Sequence, residues 1–236
     1  METYAEFLAR INSFEKSEIY YGDDYFHGNP SIAQKVDWEN HFKPFYGDTV
    51  VFNLDDSTKA VLANYVEQLY QVAPECFCDK LISGTFHMTL HDLSNSPNLY
   101  DVAAEVFRNE LKVVEKLSQT KKHKTIKMKS KYIFNMVGTS LVMGLYPVNE
   151  EEYHKLMELY YLFDDVKTLG YPLTPHITLG YYNVHGFHTN SARRLESLIR
   201  ELNNREEMQI ELDIENLYYQ KFRSMNDYIN IINLGK

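Results

Sequence analysis

The sequence contains the pattern His-x-Thr-Leu twice, once in each half of the chain. The first copy lies in Phe86–Leu90 (FHMTL) and the second in Pro175–Leu179 (PHITL). Both copies stand in runs that are typical of extended strands, and in a strand the side chains at positions i and i+2 point from the same face. Each copy therefore presents an imidazole and a hydroxyl side by side. Two such strands lying next to each other would bring two imidazoles and two hydroxyls to one small ligand.

The predicted elements around the two copies follow the same order. Each half shows a strand, a helix, the His-x-Thr strand and a second helix, and three further strands end the chain. The predicted helices after residue 46 run from the Asp55–Ser57 cap to Val72 and over residues 98–118, 150–169 and 189–202. We therefore expect an α+β fold with two pseudo-symmetric lobes. Each lobe is a mainly antiparallel sheet with helices on the outside, and the motif strands meet at a central groove.

Residues 1–46 are predicted to form a covering segment, separate from a bilobal domain of residues 47–236. A short amphipathic helix is expected within residues 1–14. From Tyr20 to Tyr46, aromatic residues alternate with glycine and proline, which predicts an irregular layer packed over the first lobe. Burial of the rings explains this composition most simply. The alternative is that some of the rings stack against a nucleobase.

Composition narrows the class of protein and its partners. Hydrophobic residues make up 44% and charged residues 24%, which is typical of a globular protein, and no apolar run approaches the roughly 18 to 20 residues that span a bilayer. The acidic start of the chain lacks the basic-then-apolar order of a signal peptide, so a cytoplasmic location is expected. The protein is also expected to be a monomer and to bind no membrane. The net charge of −9 disfavours long nucleic acid but not a short phosphate-bearing ligand.

Two histidines and two threonines in one groove suit displacement at phosphorus. Histidine titrates near neutral pH, so one imidazole can accept a proton from the attacking oxygen while the other donates one to the leaving oxygen. The hydroxyls of Thr89 and Thr178 can donate hydrogen bonds to the non-bridging oxygens, where charge develops. Such a reaction needs no metal and no cofactor. A single histidine would be read as a core residue, whereas the repetition of the motif favours a function for His87 and His176.

A zinc site is the alternative chemistry. His91 and Asp92 follow the first motif, and in a regular strand His91 shares the face of His87. A catalytic zinc ion usually has three protein ligands, which the motif alone does not supply. Cys76 and Cys78 are spaced as C-x-C without a second pair, so they are expected to be reduced, buried residues.

At these motifs the sequence resembles the two-histidine (2H) phosphoesterase superfamily, whose members carry two H-x-[ST]-x motifs on central strands of a duplicated, two-lobed fold. The motifs are intact here as His87–Leu90 and His176–Leu179. The stretch Pro44–Val51, together with Phe86–Thr89, further resembles a subfamily of uncharacterised bacterial and fungal members. The resemblance extends from about Pro44 to the C-terminus and leaves residues 1–43 unexplained.

The resemblance implies roles for the motif residues. His87 and His176 would be the acid–base pair and Thr89 and Thr178 the phosphate anchors. Activities in the superfamily include the opening of 2',3'-cyclic phosphates, cleavage of cyclic or 2',5'-linked nucleotides and processing of RNA ends. Three further residues are candidate substrate contacts because they lie near a motif or in a late strand: Tyr181, Tyr182 and Arg223.

Two functions therefore follow from the sequence. The first is a metal-independent phosphodiesterase that cleaves a cyclic or 2',5'-linked phosphodiester in a small nucleotide or an RNA end. The second is a non-catalytic protein that sequesters a nucleotide or an RNA end in the same groove. The acidic chain and the aromatic N-terminal segment motivate the second, because a cover that never opens would retain its ligand.

Overall fold

The protein is represented by a computed structural model that describes residues 2–16, 19 and 24–236. Among these residues there are five α-helices: α1 (Tyr4–Ser13), α2 (Asp56–Val72), α3 (Leu99–Thr120), α4 (Glu150–Tyr161) and α5 (Thr189–Asn203). The strands are β1 (Tyr25–Phe26), β2 (Tyr46–Asn53), β3 (His87–Ser96), β4 (Ile126–Met136), β5 (Ser140–Pro147), β6 (His176–Tyr181), β7 (Phe187–His188), β8 (Gln209–Leu212), β9 (Leu217–Ser224) and β10 (Asp227–Asn233). No helix in the described ranges is long and apolar enough to cross a membrane.

Two antiparallel four-stranded sheets form the two lobes. The first lobe contains the sheet with strand order β10-β9-β2-β3, and the second contains the sheet with order β6-β5-β4-β8. The motif strands β3 and β6 are edge strands of their own sheets and lie against each other. The expectation of an α+β fold with two lobes and a central groove is therefore confirmed. One difference is that the C-terminal hairpin β9–β10 returns to the first lobe, where β9 pairs with β2.

The helices begin where the sequence supplies caps. Asp55 caps α2 by accepting a hydrogen bond from the backbone N–H of Thr58 at 2.9 Å, and the helix ends before Pro74, as predicted. Helix α4 is shorter than the predicted 150–169. It ends at Tyr161, and the chain then turns so that Phe163 and Val166 are both buried. The connection from α4 to β6 is therefore a long irregular segment.

The N-terminal segment covers the second lobe more than the first. In α1, the rings of Tyr4 and Phe7 lie 5.4 and 5.2 Å from the ring of Tyr153 in α4. Strand β1 pairs with β7, which directly precedes α5. The expectation that the layer from Tyr20 to Tyr46 packs over the first lobe is thus wrong for β1, because aromatic composition does not reveal which surface the rings bury. Tyr20 and Tyr21 lie outside the described residues.

Both cysteines behave as small core residues. Cys76 and Cys78 are free and buried, and burial raises the pKa of the Cys78 thiol to about 12. Burial likewise raises the pKa of the Cys76 thiol. Both side chains are therefore protonated at neutral pH and unreactive.

Candidate active site

A cavity of about 650 Å³ lies at the junction of the two sheets, and both motifs line it. His87 and Thr89 come from β3, while His176 and Thr178 come from β6. All four side chains are half-buried, because each motif strand alternates between a residue facing the cavity and one in the core. The volume is within the range of sites that hold a small organic ligand.

The two imidazoles are held in the same way. Nδ1 of His87 lies 2.7 Å from the carbonyl oxygen of Thr85, and Nδ1 of His176 lies 2.7 Å from the carbonyl oxygen of Thr174. A carbonyl oxygen only accepts, so each Nδ1 carries a proton and donates it. In both rings this leaves Nε2 as the nitrogen that can exchange a proton with a ligand.

A β-bulge follows the threonine in each motif strand. In β3, Thr89 pairs with Val51 and His91 pairs with Val50, so Leu90 is an extra residue. In β6, Thr178 pairs with Val142 and Gly180 with Leu141, so Leu179 is extra in the same way. An extra residue reverses the alternation of faces beyond it. After each bulge, the cavity-facing position is therefore three residues past the threonine.

The first bulge changes the expected position of His91. Instead of sharing the face of His87, His91 is 1% exposed, its Nδ1 donates to the carbonyl of Asp92, and its Nε2 lies 3.3 Å from Oδ1 of Asp164. Asp92 takes the cavity position and accepts a hydrogen bond from the Tyr171 hydroxyl at 3.0 Å. The parity argument for His91 as a zinc ligand is therefore wrong. In the described part of the chain, no three His, Cys, Asp or Glu side chains converge as metal ligands.

The second bulge separates the two tyrosines proposed as substrate contacts. Tyr181 lines the cavity, at the position that matches Asp92 in the other motif strand. Tyr182 is fully buried on the other side, with its ring 5.3 Å from Phe26 and 6.0 Å from Phe77. Arg223 also lies outside the cavity lining. Its side chain is 62% exposed and forms an ion pair with Asp227 at 2.8 Å.

Two cations from the N-terminal segment, Arg10 and Lys35, line the cavity, and sequence reasoning missed both. Arg10 forms an ion pair with Glu2 at 2.8 Å and donates to Oγ1 of Thr174 and to the carbonyl of Leu173, each at 2.9 Å. Arg10 thereby binds the side chain of Thr174, the residue whose carbonyl oxygen orients His176. No pattern in residues 1–46 identifies these contacts, because α1 reaches the cavity only through its packing on the second lobe.

The fold is similar to that of several solved structures. A conserved protein of unknown function from Agrobacterium tumefaciens matches with a TM-score of 0.68 at 15% identity, over 88% of this chain and 94% of that one. LigT of E. coli, complexed with 3'-AMP, matches with a TM-score of 0.49 at 10% identity, over 80% and 96%. TT0787 of Thermus thermophilus gives 0.47 at 12% identity, over 78% and 94%. No family model matches the chain, and a search of curated proteins found no match.

At 15% identity, the Agrobacterium similarity shows a shared fold and nothing about chemistry. The side chains that line the cavity determine its chemistry, and the two motif histidines are among them. Burial lowers the pKa of His87 to about 4, and the nearby His176 acts in the same direction. Burial also lowers the pKa of His176, with Lys35 contributing, while the carboxylate of Asp92 opposes both shifts. Without a ligand, both imidazoles are therefore neutral at pH 7.

The lowered pKa values predict a pH-dependent response to a doubly charged anion. A histidine with a pKa near 4 in the fold and 6.5 when unfolded binds fewer protons in the folded state, so the free energy of unfolding falls as the pH drops through that range. An anion between the imidazoles favours their protonated forms and opposes this loss. We expect sulfate to raise the melting temperature more at about pH 5 than at about pH 8, relative to chloride at equal ionic strength.

The matched control is the double variant His87→Gln/His176→Gln, which removes both titrating rings from the cavity. Sulfate also stabilises proteins by being excluded from their surfaces, and that part of the effect should remain in the variant. The extra stabilisation at low pH should disappear. An equal response in the variant and the unaltered protein would refute an anion site between the histidines.

Proposed function

We propose that the cavity cleaves a phosphodiester by acid–base catalysis, with His87 and His176 as the proton-transferring pair. The observation that carries this proposal is the matched pair of imidazoles, each with Nδ1 donating to a main-chain carbonyl and Nε2 left for a ligand. The threonine two residues further on lines the same cavity in both strands, which supports a role in binding the phosphate. The substrate is a small nucleotide or an RNA end with a cyclic or 2',5'-linked phosphodiester.

The negative charge of the bound phosphodiester favours protonation of one imidazole, so the proposed reaction begins with one ring neutral and the other protonated. An attacking water gives its proton to Nε2 of the neutral ring as its oxygen bonds to phosphorus. The phosphorus–oxygen bond on the opposite side breaks, and the leaving oxygen takes the proton from the charged ring. The Thr89 and Thr178 hydroxyls donate to the non-bridging oxygens. The pair exchanges its protonation states in each turnover, and this chain's own residues perform every proton transfer.

A panel of nucleotides tests this function. Purified protein is incubated, in the presence of a chelator, with 2',3'-cyclic nucleotides and with 2',5'-linked and 3',5'-linked dinucleotides, and the products are identified by mass analysis. We expect catalytic turnover on at least one cyclic or 2',5'-linked member. Tight binding without product in excess of the protein would instead support the alternative function, nucleotide sequestration. Activity that appears only with an added metal ion would overturn the metal-independent mechanism.

A further inference from the structure

The pseudo-symmetry of the cavity is broken at one matched pair of positions. Three residues past the threonine, the first motif strand carries Asp92 and the second carries Tyr181. The Asp92 carboxylate has Tyr171 beside it, whereas Tyr181 has the ammonium group of Lys35 against its ring. Opposite charges therefore lie on the two matched sides of the cavity.

Lys35 is held between two aromatic rings that themselves line the cavity. Its Nζ atom lies 5.1 Å from the ring centroid of Phe45 and 5.1 Å from that of Tyr181. The backbone is fixed as well, because Lys35 N donates to the carbonyl of Ile32 at 2.9 Å and the Lys35 carbonyl accepts from Lys43 N at 2.8 Å. Lys35 is half-buried, and its contacts with the two rings keep the ammonium group at the edge of the cavity.

Lys35 differs from Arg10 in its ionic contacts within the described residues. Among the residues that the structure describes, no acidic side chain forms an ion pair with it. The second cation in the cavity differs in this respect: Arg10 pairs with Glu2 and donates to Thr174 and Leu173. Lys35 is therefore the cavity cation that can bind an anionic group of a ligand.

We propose that Lys35, held between Phe45 and Tyr181, binds a second anionic group of the substrate, so that the substrate is a nucleotide carrying a phosphomonoester in addition to the phosphodiester at the histidines. This inference rests on the proposed function for the location of the first phosphate. Asp92, on the matched side, repels a second phosphate and accepts hydrogen bonds from a hydroxyl or an amino group. The ligand is thereby oriented with its free phosphate towards Lys35 and its neutral donors towards Asp92.

The test compares two ligands that differ by one phosphomonoester: adenosine 3'-phosphate and adenosine 3',5'-bisphosphate. Isothermal titration calorimetry measures both affinities at fixed salt. We expect the bisphosphate to bind about 10-fold to 100-fold more tightly, which is typical of a charge-assisted hydrogen bond. Lys35→Met keeps the apolar stem between the rings and should reduce the ratio of the two affinities to about 1 to 2. Lys35→Arg should retain most of the preference.

Lys43→Met is the matched control. Lys43 lies in the same segment, but its Nζ donates to the carbonyl of Ala33 at 2.9 Å and it does not line the cavity, so the preference should survive. Melting temperatures of all variants show whether each one folds. Equal affinity of the unaltered protein for the two ligands would overturn the proposal, as would an equal loss for both ligands in Lys35→Met. Because the readout is binding, a failure of the nucleotide panel would refute catalysis without deciding whether Lys35 binds an anion.

Discussion

Replacing His87 or His176 by glutamine should lower kcat for phosphodiester cleavage by about 10²-fold to 10⁴-fold, the usual contribution of a positioned acid or base. Glutamine keeps a polar amide near the position of Nε2, but it cannot exchange a proton near neutral pH. The measurement is steady-state kinetics on the substrate that the nucleotide panel identifies. Both rings take part in the same displacement, so their effects on kcat are not additive. The double variant should therefore have a kcat only slightly lower than that of the worse single variant.

The control for these variants is His154→Gln. His154 lies on α4 with a side chain that is 65% exposed, and it does not line the cavity, so its replacement should leave kcat unchanged. A structural role for the motif histidines predicts a different pattern, in which activity falls only in step with the folded fraction. Full activity in both His87→Gln and His176→Gln would refute the acid–base mechanism.

The sequence alone predicted that the motif residues lie together, because side chains two residues apart in a strand point from the same face. His87 and Thr89 are two residues apart, as are His176 and Thr178, and the structure brings all four to one cavity. Their joint position depends on β3 and β6 both being edge strands. The repetition of the motif predicted this arrangement. In the structure it results from the contact between β3 and β6 at the junction of the two sheets.

The alternation of side chains between the two faces of the strand is interrupted directly after the threonine of each motif. Leu90 and Leu179 are extra residues in β-bulges, so the faces of the strands are exchanged beyond them. A bulge has no local signature in HMTLHD or HITLGY, and counting by two therefore assigned His91 to the cavity instead of Asp92. The two bulges lie at the same place in the two motif strands, and this makes Asp92 and Tyr181 matched positions.

A buried carboxylate stabilises a second irregularity in β3. Asp48 pairs with Ser94 and Thr49 with Asp92, which leaves Leu93 unpaired. The Asp48 carboxylate accepts a hydrogen bond from Ser94 N at 2.8 Å, and burial raises its pKa to about 6. This interaction joins residues 46 positions apart in the chain. Long-range hydrogen bonds of this kind, like the contact of Arg10 with Thr174, depend on the finished fold and could not be derived from local patterns.

The threonine hydroxyls should contribute almost as much to kcat as the histidines. We expect Thr89→Val or Thr178→Val to lower kcat by about 10²-fold to 10³-fold, which is the usual effect of removing one donor to a developing oxyanion. Valine keeps the β-branched shape that suits β3 and β6, so the variant removes the hydroxyl with little change in packing. Thr89→Ser and Thr178→Ser are the matched controls, because serine restores the donor and should recover most of the activity.

The division of the effect between kcat and KM decides what the hydroxyls do. A donor whose hydrogen bond strengthens in the transition state lowers kcat when it is lost, whereas one that binds substrate and transition state equally raises KM alone. We expect the loss mainly in kcat for both valine variants, because charge develops on the non-bridging oxygens during displacement. A rise in KM with kcat unchanged would limit Thr89 and Thr178 to ground-state binding, and catalysis would then depend on the two imidazoles alone.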